Sequence, residues 1–201
     1  MTETKEHILK IAFRLFLLKN FKEVTMQDIV KETGLSKGAF YHYFASKEQV
    51  FQEVVGKYYL GEGLYDIQTL SQTSLKAFYL DCLGHIQHYI QFVLASAGID
   101  GNVPSVVNYF NLVFDALGRL PDFREKSQQS QLAELNLWQK MIEQAVESGE
   151  IQPVGSSLAI AKLFAFSVDS TFIHAVMEGN FTRGIDDIQL MWDNLYQILK
   201  A

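Results

Sequence analysis

Apolar residues recur at three- and four-residue spacing along almost the whole of this 201-residue chain, and prolines stand only at 104, 121 and 153. Such spacing lays one apolar stripe along a helix, whereas a half-buried strand needs strict alternation, so the fold class is all-α. In the first segment Ile8, Ile11, Ala12, Leu15 and Phe16 share a face. The stripe fades at Asn20, a residue that tolerates the left-handed conformation in which helices end. Thr25 with Asp28 three residues on marks a second start, and Gly34 a stop. Ser36 caps a short third helix to about Tyr43. Ser46 with Gln49 forms a Ser-x-x-Gln capping box for a fourth, whose inward face is Val50, Phe51, Val54 and Tyr58. Beyond a polar stretch at 64–74, periodicity predicts longer helices at about 75–97, 105–118, 122–148, 156–178 and 186–200.

A hydrophobic content of 48% is ample for a packed interior. The single cysteine, Cys82, excludes an intrachain disulfide, and the opening run MTETKEHILK has no apolar secretory segment. No apolar run approaches the roughly 18 residues of a membrane span. The expected setting is the cytoplasm. A formal charge of −6 argues at first sight against nucleic acid, but residues 1–60 carry nine Lys or Arg against seven Asp or Glu, and the remainder eight against sixteen. Screening over about 10 Å at 0.1 M salt lets the basic end act locally.

Residues 33–48 read TGLSKGAFYHYFASKE. Two helices joined by a short Gly-containing turn, the second short and Ser-capped, form a helix-turn-helix, whose second helix enters the major groove of DNA. Gly38 and Ala39 lack bulk, so the backbone can approach the groove; Ala39 suits a thymine methyl, and Lys37 a guanine or a phosphate. Phe40 and Phe44, at i and i+4, share a face that belongs to the core. Tyr41, His42 and Tyr43 are left outside with polar tips for phosphates or base edges, and Lys47 at the start of the fourth helix offers another phosphate contact.

From Ile8 to Phe51, centred on TMQDIVKETGLSKGAFYHYFASKEQVF, the chain resembles the TetR-type bacterial transcriptional regulators. The resemblance implies DNA contacts from Thr25, Ser36, Lys37, Gly38, Ala39, Tyr41, His42, Tyr43 and Lys47. It departs from the family pattern at Asn20, where Gly is usual, at Val30 and Thr33, where alanines are common, and at Tyr43, whose usual His stands one place earlier as His42. It implies an N-terminal three-helix DNA-binding domain at 1–46 and a larger helical effector-binding and dimerisation domain at 47–201, the fourth helix linking the two.

In the body, helix 156–178 is apolar around most of its girth, and 186–200 aligns Ile188, Met191, Trp192, Leu195, Ile198 and Leu199. With the family resemblance, these two helices are expected to pair with their copies in a homodimer. Symmetry then sets two recognition helices about 34 Å apart, one turn of DNA, on a roughly palindromic operator. Phe78, Cys82, His85, Tyr89 and Phe92 form a polar-aromatic stripe suited to a pocket wall, to which Tyr109, Phe114 and Trp138 could add, for a small apolar or aromatic effector. Asp81, His85 and His88 share one side of that helix, yet with no fourth ligand in view no metal is expected, nor any other cofactor. No nucleophile motif, phosphate loop or carboxylate pair points to an enzyme. The expected function is that of a ligand-responsive regulator, a repressor released by its effector; the alternative is a helical ligand-binding or protein-docking module without DNA recognition.

Overall fold

The computed structural model describes residues 2–60, 69–97, 103–152, 155–179 and 183–200, so part of the polar stretch at 64–74 lies outside the described residues. Nine helices follow one another among these residues: α1 (Glu3–Glu23), α2 (Met26–Thr33), α3 (Lys37–Tyr41), α4 (Lys47–Tyr59), α5 (Leu75–Ala97), α6 (Val103–Arg119), α7 (Pro121–Glu147), α8 (Ser157–Glu178) and α9 (Gly184–Leu199). The sole extended pairing among them is an isolated antiparallel bridge between Ile151 and Lys200. Two of the three prolines begin helices rather than break them. Pro121 is the first residue of α7 and Pro104 the second of α6, positions whose N–H groups have no partner inside the helix.

The described chain divides into two compact units, Met1–Leu64 with Gln91–Lys126, and Tyr65–Ile90 with Ser127–Ala201. The first reaches well past residue 46 because α4 and α6 both pack on α1. Its core is aromatic. Phe13 stacks on Tyr58 with ring centres 3.9 Å apart, Phe21 lies 4.4 Å from Phe51, and Phe16 meets both Phe21 and Phe51 edge-on. The carbonyl of Leu17 accepts a hydrogen bond from the Asn108 amide at 2.8 Å, and the Tyr59 hydroxyl donates to the Tyr109 carbonyl at 3.0 Å, so α6 is fastened to α1 and α4 by polar as well as apolar contacts. Ion pairs join Lys5 to Glu53 and Lys57 to Glu6, tying α1 to α4 at its surface.

The second unit is built on a cluster of rings. Trp138 stacks on Phe164 at 4.9 Å and meets Trp192 at 5.2 Å, while Phe78 meets Trp138 edge-on at 4.6 Å. Among the described residues its buried polar side-chain atoms are satisfied. The Trp192 indole donates to Ser167 Oγ at 2.8 Å, and the Tyr79 hydroxyl to Asp193 at 2.7 Å. Glu150 acts as a cap from outside the helix, accepting the N–H groups of Leu75 and Lys76 at the start of α5 and the Tyr196 hydroxyl.

Asn20 differs from expectation in an informative way. It does adopt positive φ, at 63°, but with ψ at 165° it interrupts α1 instead of closing it. Its Oδ1 then accepts the N–H groups of Lys22 and Glu23, capping one further turn that carries Phe21 into the core. A Cβ in this region costs on the order of 1–3 kcal/mol, and the side-chain cap offsets part of that, by about 0.5–2 kcal/mol. Asn20→Gly is therefore expected to leave stability within about 0.5 kcal/mol of the parent or to raise it, because relieved strain offsets the lost cap. Asn20→Ala, which keeps the strain and loses the cap, is expected to cost about 1 kcal/mol, both being read from urea unfolding midpoints.

Candidate nucleic-acid interface

Three side-chain caps build the site. Thr25 and Asp28 form a full capping box at the head of α2: the Thr25 N–H and hydroxyl donate to Asp28 Oδ2 at 2.8 and 2.7 Å, and the Asp28 N–H donates to Thr25 Oγ1 at 3.1 Å. Both donors of Thr25 are therefore committed to Asp28, and its part in the site is to begin α2. Gly34 closes α2 in the left-handed region at φ 68°, where a side chain would be strained. Ser36 opens α3 by accepting the Ala39 N–H, which leaves its own hydroxyl proton available. Ser46 opens α4 by accepting the Gln49 N–H at 3.1 Å, and the Gln49 side chain reaches back to the N–H of Ala45, one residue earlier than a standard box.

Helix α3 is two residues shorter than its pattern predicts, ending at Tyr41. It is nonetheless oriented as expected. Phe40 and Phe44 have no exposed surface, whereas Lys37, Gly38, Ala39 and His42 are exposed and Tyr41 keeps 48% of its surface in solvent. Tyr43 is half-buried, its ring 5.3 Å from that of His42. Lys37, Ser36 and His42 thus present free donors on a small, low-relief surface over a rigid aromatic floor.

Lys47 behaves differently from a simple phosphate contact. Its ammonium donates to the carbonyls of Phe21 and Val24, both at 2.8 Å, and lies 4.4 Å over the Phe21 ring. Those carbonyls close the end of α1, where the helix dipole favours a cation. Two of the three ammonium hydrogens are occupied, and one remains.

The pattern of the sequence missed a second feature. An open concavity of about 520 Å³ lies between α2 and α3, lined by Gln27, Val30, Lys31, Lys37 and Tyr41. Gln27 and Lys31, at i and i+4 on α2, face Lys37 and Tyr41, at i and i+4 on α3. The spacing was visible in the sequence; that the two pairs confront one another was not.

The residues read as an effector pocket fall in both units. Phe78, Cys82 and Trp138 are each 1% exposed and packed in the second unit. The reason is the cover given by Phe164 and Trp192, residues of α8 and α9 that the α5 stripe alone could not reveal. His85 and Tyr89 are half-buried on α5. Phe92 and Tyr109 belong to the first unit, near Tyr58 and Tyr59 respectively. Phe114 is 63% exposed, on a face of α6 away from the buried Leu112 and Ala116. Burial pushes the Cys82 thiol up, away from the reactive thiolate. Asp81 accepts the Ser71 N–H at 2.8 Å, and no group of three metal-ligating side chains gathers among the described residues.

Comparison with known proteins places this geometry. Residues 8–54 match the model of bacterial regulatory proteins of the tetR family. The uncharacterized HTH-type transcriptional regulator YerO of Bacillus subtilis is 40% identical over 72 residues, 36% of this chain and 25% of that protein. The match therefore spans about a quarter of that relative's length. A second B. subtilis regulator, YfiR, also uncharacterized, is 26% identical over 80% of this chain and 78% of its own. Among solved structures, a SmeT–triclosan complex superposes over 100% of this chain and 93% of its own with a TM-score of 0.69 at 17% identity, which is a likeness of fold.

The capping box carries a pH dependence. Its hydrogen bonds from Thr25, side chain first and backbone second, hold the Asp28 carboxyl below its ordinary value of 3.8. A depressed carboxyl pKa contributes stability that is complete above the unfolded value and is lost as pH falls through the folded one. Asp28→Asn is expected to melt at a lower temperature than the parent at pH 7, with the gap closing as pH falls from 4 towards 3. Thermal melts across that range check it; a gap that stays constant to pH 3 contradicts the assignment.

Proposed function

The chain belongs to the TetR family of bacterial regulatory proteins, and on that premise we propose that it is a homodimeric, cytoplasmic repressor that leaves a near-palindromic DNA operator when a small apolar or aromatic molecule binds its body. The observation that carries the reading is the exposed surface of α3. Lys37, Gly38, Ala39, Tyr41 and His42 lie open to solvent while Phe40 and Phe44 beneath them are wholly buried. Small residues permit close approach to the groove, and the polar tips supply the donors that backbone and base edges require.

In this reading Lys37 and His42 read base edges, Gly38 and Ala39 meet the groove wall, and Ser36, Tyr41 and Tyr43 hold phosphates. Lys47 gives its remaining N–H to a phosphate, and Thr25 contributes through its place at the head of α2. The effector acts through the second unit, where His85 and Tyr89 are the positions of the original stripe not sealed into core. A neighbour of like fold solved with triclosan supports a small-molecule effector. A coupling of about 1–3 kcal/mol, or 5- to 150-fold in affinity, is typical of such linkage.

Dimerisation rests on α8 and α9. The core face of α8 carries Ile160, Phe164, Thr171, Phe172 and Ala175, yet Leu163, Phe166, Ile173 and Met177 on its opposite side are 59, 55, 47 and 76% exposed. On α9, Leu190, Met191 and Ile198 are exposed in the same way, at 62, 41 and 76%. Two neighbouring apolar stripes of this kind fit a two-fold four-helix interface.

Selection of duplexes from a fragmented bacterial genome tests the function. Recovered fragments are expected to share an inverted repeat with half-sites about 10 base pairs, or a multiple, apart, bound at least 1,000-fold more tightly than a scrambled duplex, as is typical of specific binding. Binding with no preference over scrambled DNA overturns the reading. Phe166→Glu, which places a charge in the middle of the α8 stripe, is expected to convert the dimer into a single chain in sedimentation at micromolar concentration while the helical circular dichroism stays unchanged. An unaltered dimer would move the interface elsewhere.

A further inference from the structure

Resting on the dimer of the preceding reading, we propose that a reciprocal ion pair, Lys162 of each α8 with Asp169 of the other copy, sets the register of that dimer and selects a second copy of this chain over other apolar helices. The open side of α8 is a heptad seam. Ala159, Leu163, Phe166, Ser170, Ile173 and Met177 follow one another at alternating steps of four and three, and all six are exposed. That spacing lets two helices pack side chain into gap. Ser170 is compatible with an apolar seam, being small and already satisfied: its hydroxyl donates to the Ser167 carbonyl at 3.0 Å.

Lys162 and Asp169 stand on one edge of this seam, two helical turns or about 10.5 Å apart. Each immediately precedes a seam residue, a position from which charges set the partner and orientation of paired helices. Among the described residues neither has a hydrogen-bond or ion-pair partner. Arg183, the cation at the head of α9, is held by Asp187 at 3.7 Å, and His174 lies on the opposite edge of the α8 seam. Phe166 and Ile173 adjoin Asp169 along the helix, three residues before it and four after. Although Asp169 is exposed as a residue, burial raises its carboxyl above the ordinary value of 3.8, and no cation of its own chain counters this. Covering the seam deepens that burial, so a paired α8 calls for a positive group at this point.

Two-fold symmetry identifies the group. An axis running along α8 lays each residue beside its own copy, so that Asp169 meets Asp169. An axis crossing α8 makes the two helices antiparallel, and the outcome then depends on register. Setting Phe166 on the partner's Ser170 again brings Asp169 to its own copy, and setting it on the partner's Met177 brings Asp169 against Val176. Setting Phe166 on the partner's Leu163 brings Lys162 and Asp169 together on both sides of the axis, since an isologous contact of one residue with another is made twice. Ile173 and Met177 then pass beyond the partner's α8 and face its α9, where Leu190, Met191 and Ile198 are exposed. The charges thus favour the one arrangement in which every ionised group on this edge is answered, and an apolar helix without them leaves Asp169 unpaired.

Charge reversal in the full-length chain tests the pairing. Lys162→Asp and Asp169→Lys are each expected to raise the dimer dissociation constant at least about tenfold in sedimentation equilibrium near 0.1 M salt, because two attractive pairs become two repulsive ones. An equimolar mixture of the two variants is expected to recover the wild-type constant as a heterodimer, in which both pairs are again opposite in sign. The double variant Lys162→Asp/Asp169→Lys is expected to recover it alone. At 1 M salt the differences are expected to shrink, and the helical circular dichroism to be the same throughout. A mixture that associates no better than its components overturns the pairing. So does an Asp169→Asn variant that dimerises more tightly than wild type, which would mean that Asp169 faces its own copy. A wild-type chain that sediments as a single chain at micromolar concentration overturns the dimer itself, and the two failures are thereby distinguishable.

Discussion

A helix of five residues cannot stand by itself, and α3 is the element on which the proposed DNA-binding surface depends. Closing a first helical turn fixes about six dihedral angles for one hydrogen bond, so isolated short helices are unstable in water. What holds α3 is the burial of Phe40 within it and Phe44 just beyond it, two rings with no exposed surface and centres 6.2 Å apart. Each contributes on the order of 1.5–3 kcal/mol of transfer free energy. Lys5 lies 5.6 Å over the Phe44 ring and pairs with Glu53, so the outer edge of that anchor is closed by α1 and α4. Because rigidity comes from below, the upper surface is free to carry glycine, alanine and polar tips.

The end of α1 serves the same purpose from another side. Asn20 accepts an unfavourable backbone conformation and caps the turn after it, which delivers Phe21 beneath Lys47. Arg119, at the end of α6, lies 5.2 Å from the same ring and pairs with Asp115. One aromatic side chain therefore meets cations from α4 and α6 while its own carbonyl accepts from Lys47. The first residue of α4 is located by this contact, and Ser46 then sets the helix direction. A change at Lys47 accordingly alters the packing of α1 as well as any contact with DNA, which is why its mutation cannot be interpreted as removal of a surface charge alone.

Local chemistry was legible and long-range packing was not. The caps at Thr25, Ser36 and Ser46 and the stop at Gly34 involve bonds between residues at most four apart, so their residue types announce them. The inward placement of Phe40 and Phe44 follows from helical geometry for the same reason. The ring packing around Phe78 and Trp138 was not legible, because a polar-aromatic stripe on one helix looks alike whether it borders open space or another layer of rings. Only Phe164 and Trp192, distant in the chain, decide between the two. The cleft containing Lys31 was hidden by a comparable limit. Gln27 and Lys31 read as an ordinary solvated helix face, and their confrontation with Lys37 and Tyr41 exists only once the turn at Gly34 has set the angle between α2 and α3.

Helix α8 shows how much a composition signal needs its surroundings. It is 22 residues long with a mean hydropathy of 1.3 over its most apolar window, long and apolar enough to cross a membrane by those measures. A bilayer, however, would have to meet the whole girth of the helix, and one side is already covered by Trp192 and Trp138 through Phe164. The open side is a stripe, not a cylinder: Leu163, Phe166, Ile173 and Met177 repeat at intervals of three, seven and four, flanked by the exposed Lys162, Asp169 and His174. A narrow apolar seam with polar edges matches another helix far better than lipid. In the proposed dimer, pairing with a second copy would cover it with a stripe of the same width and character, and the two-fold axis would also supply the second recognition helix for a palindromic site.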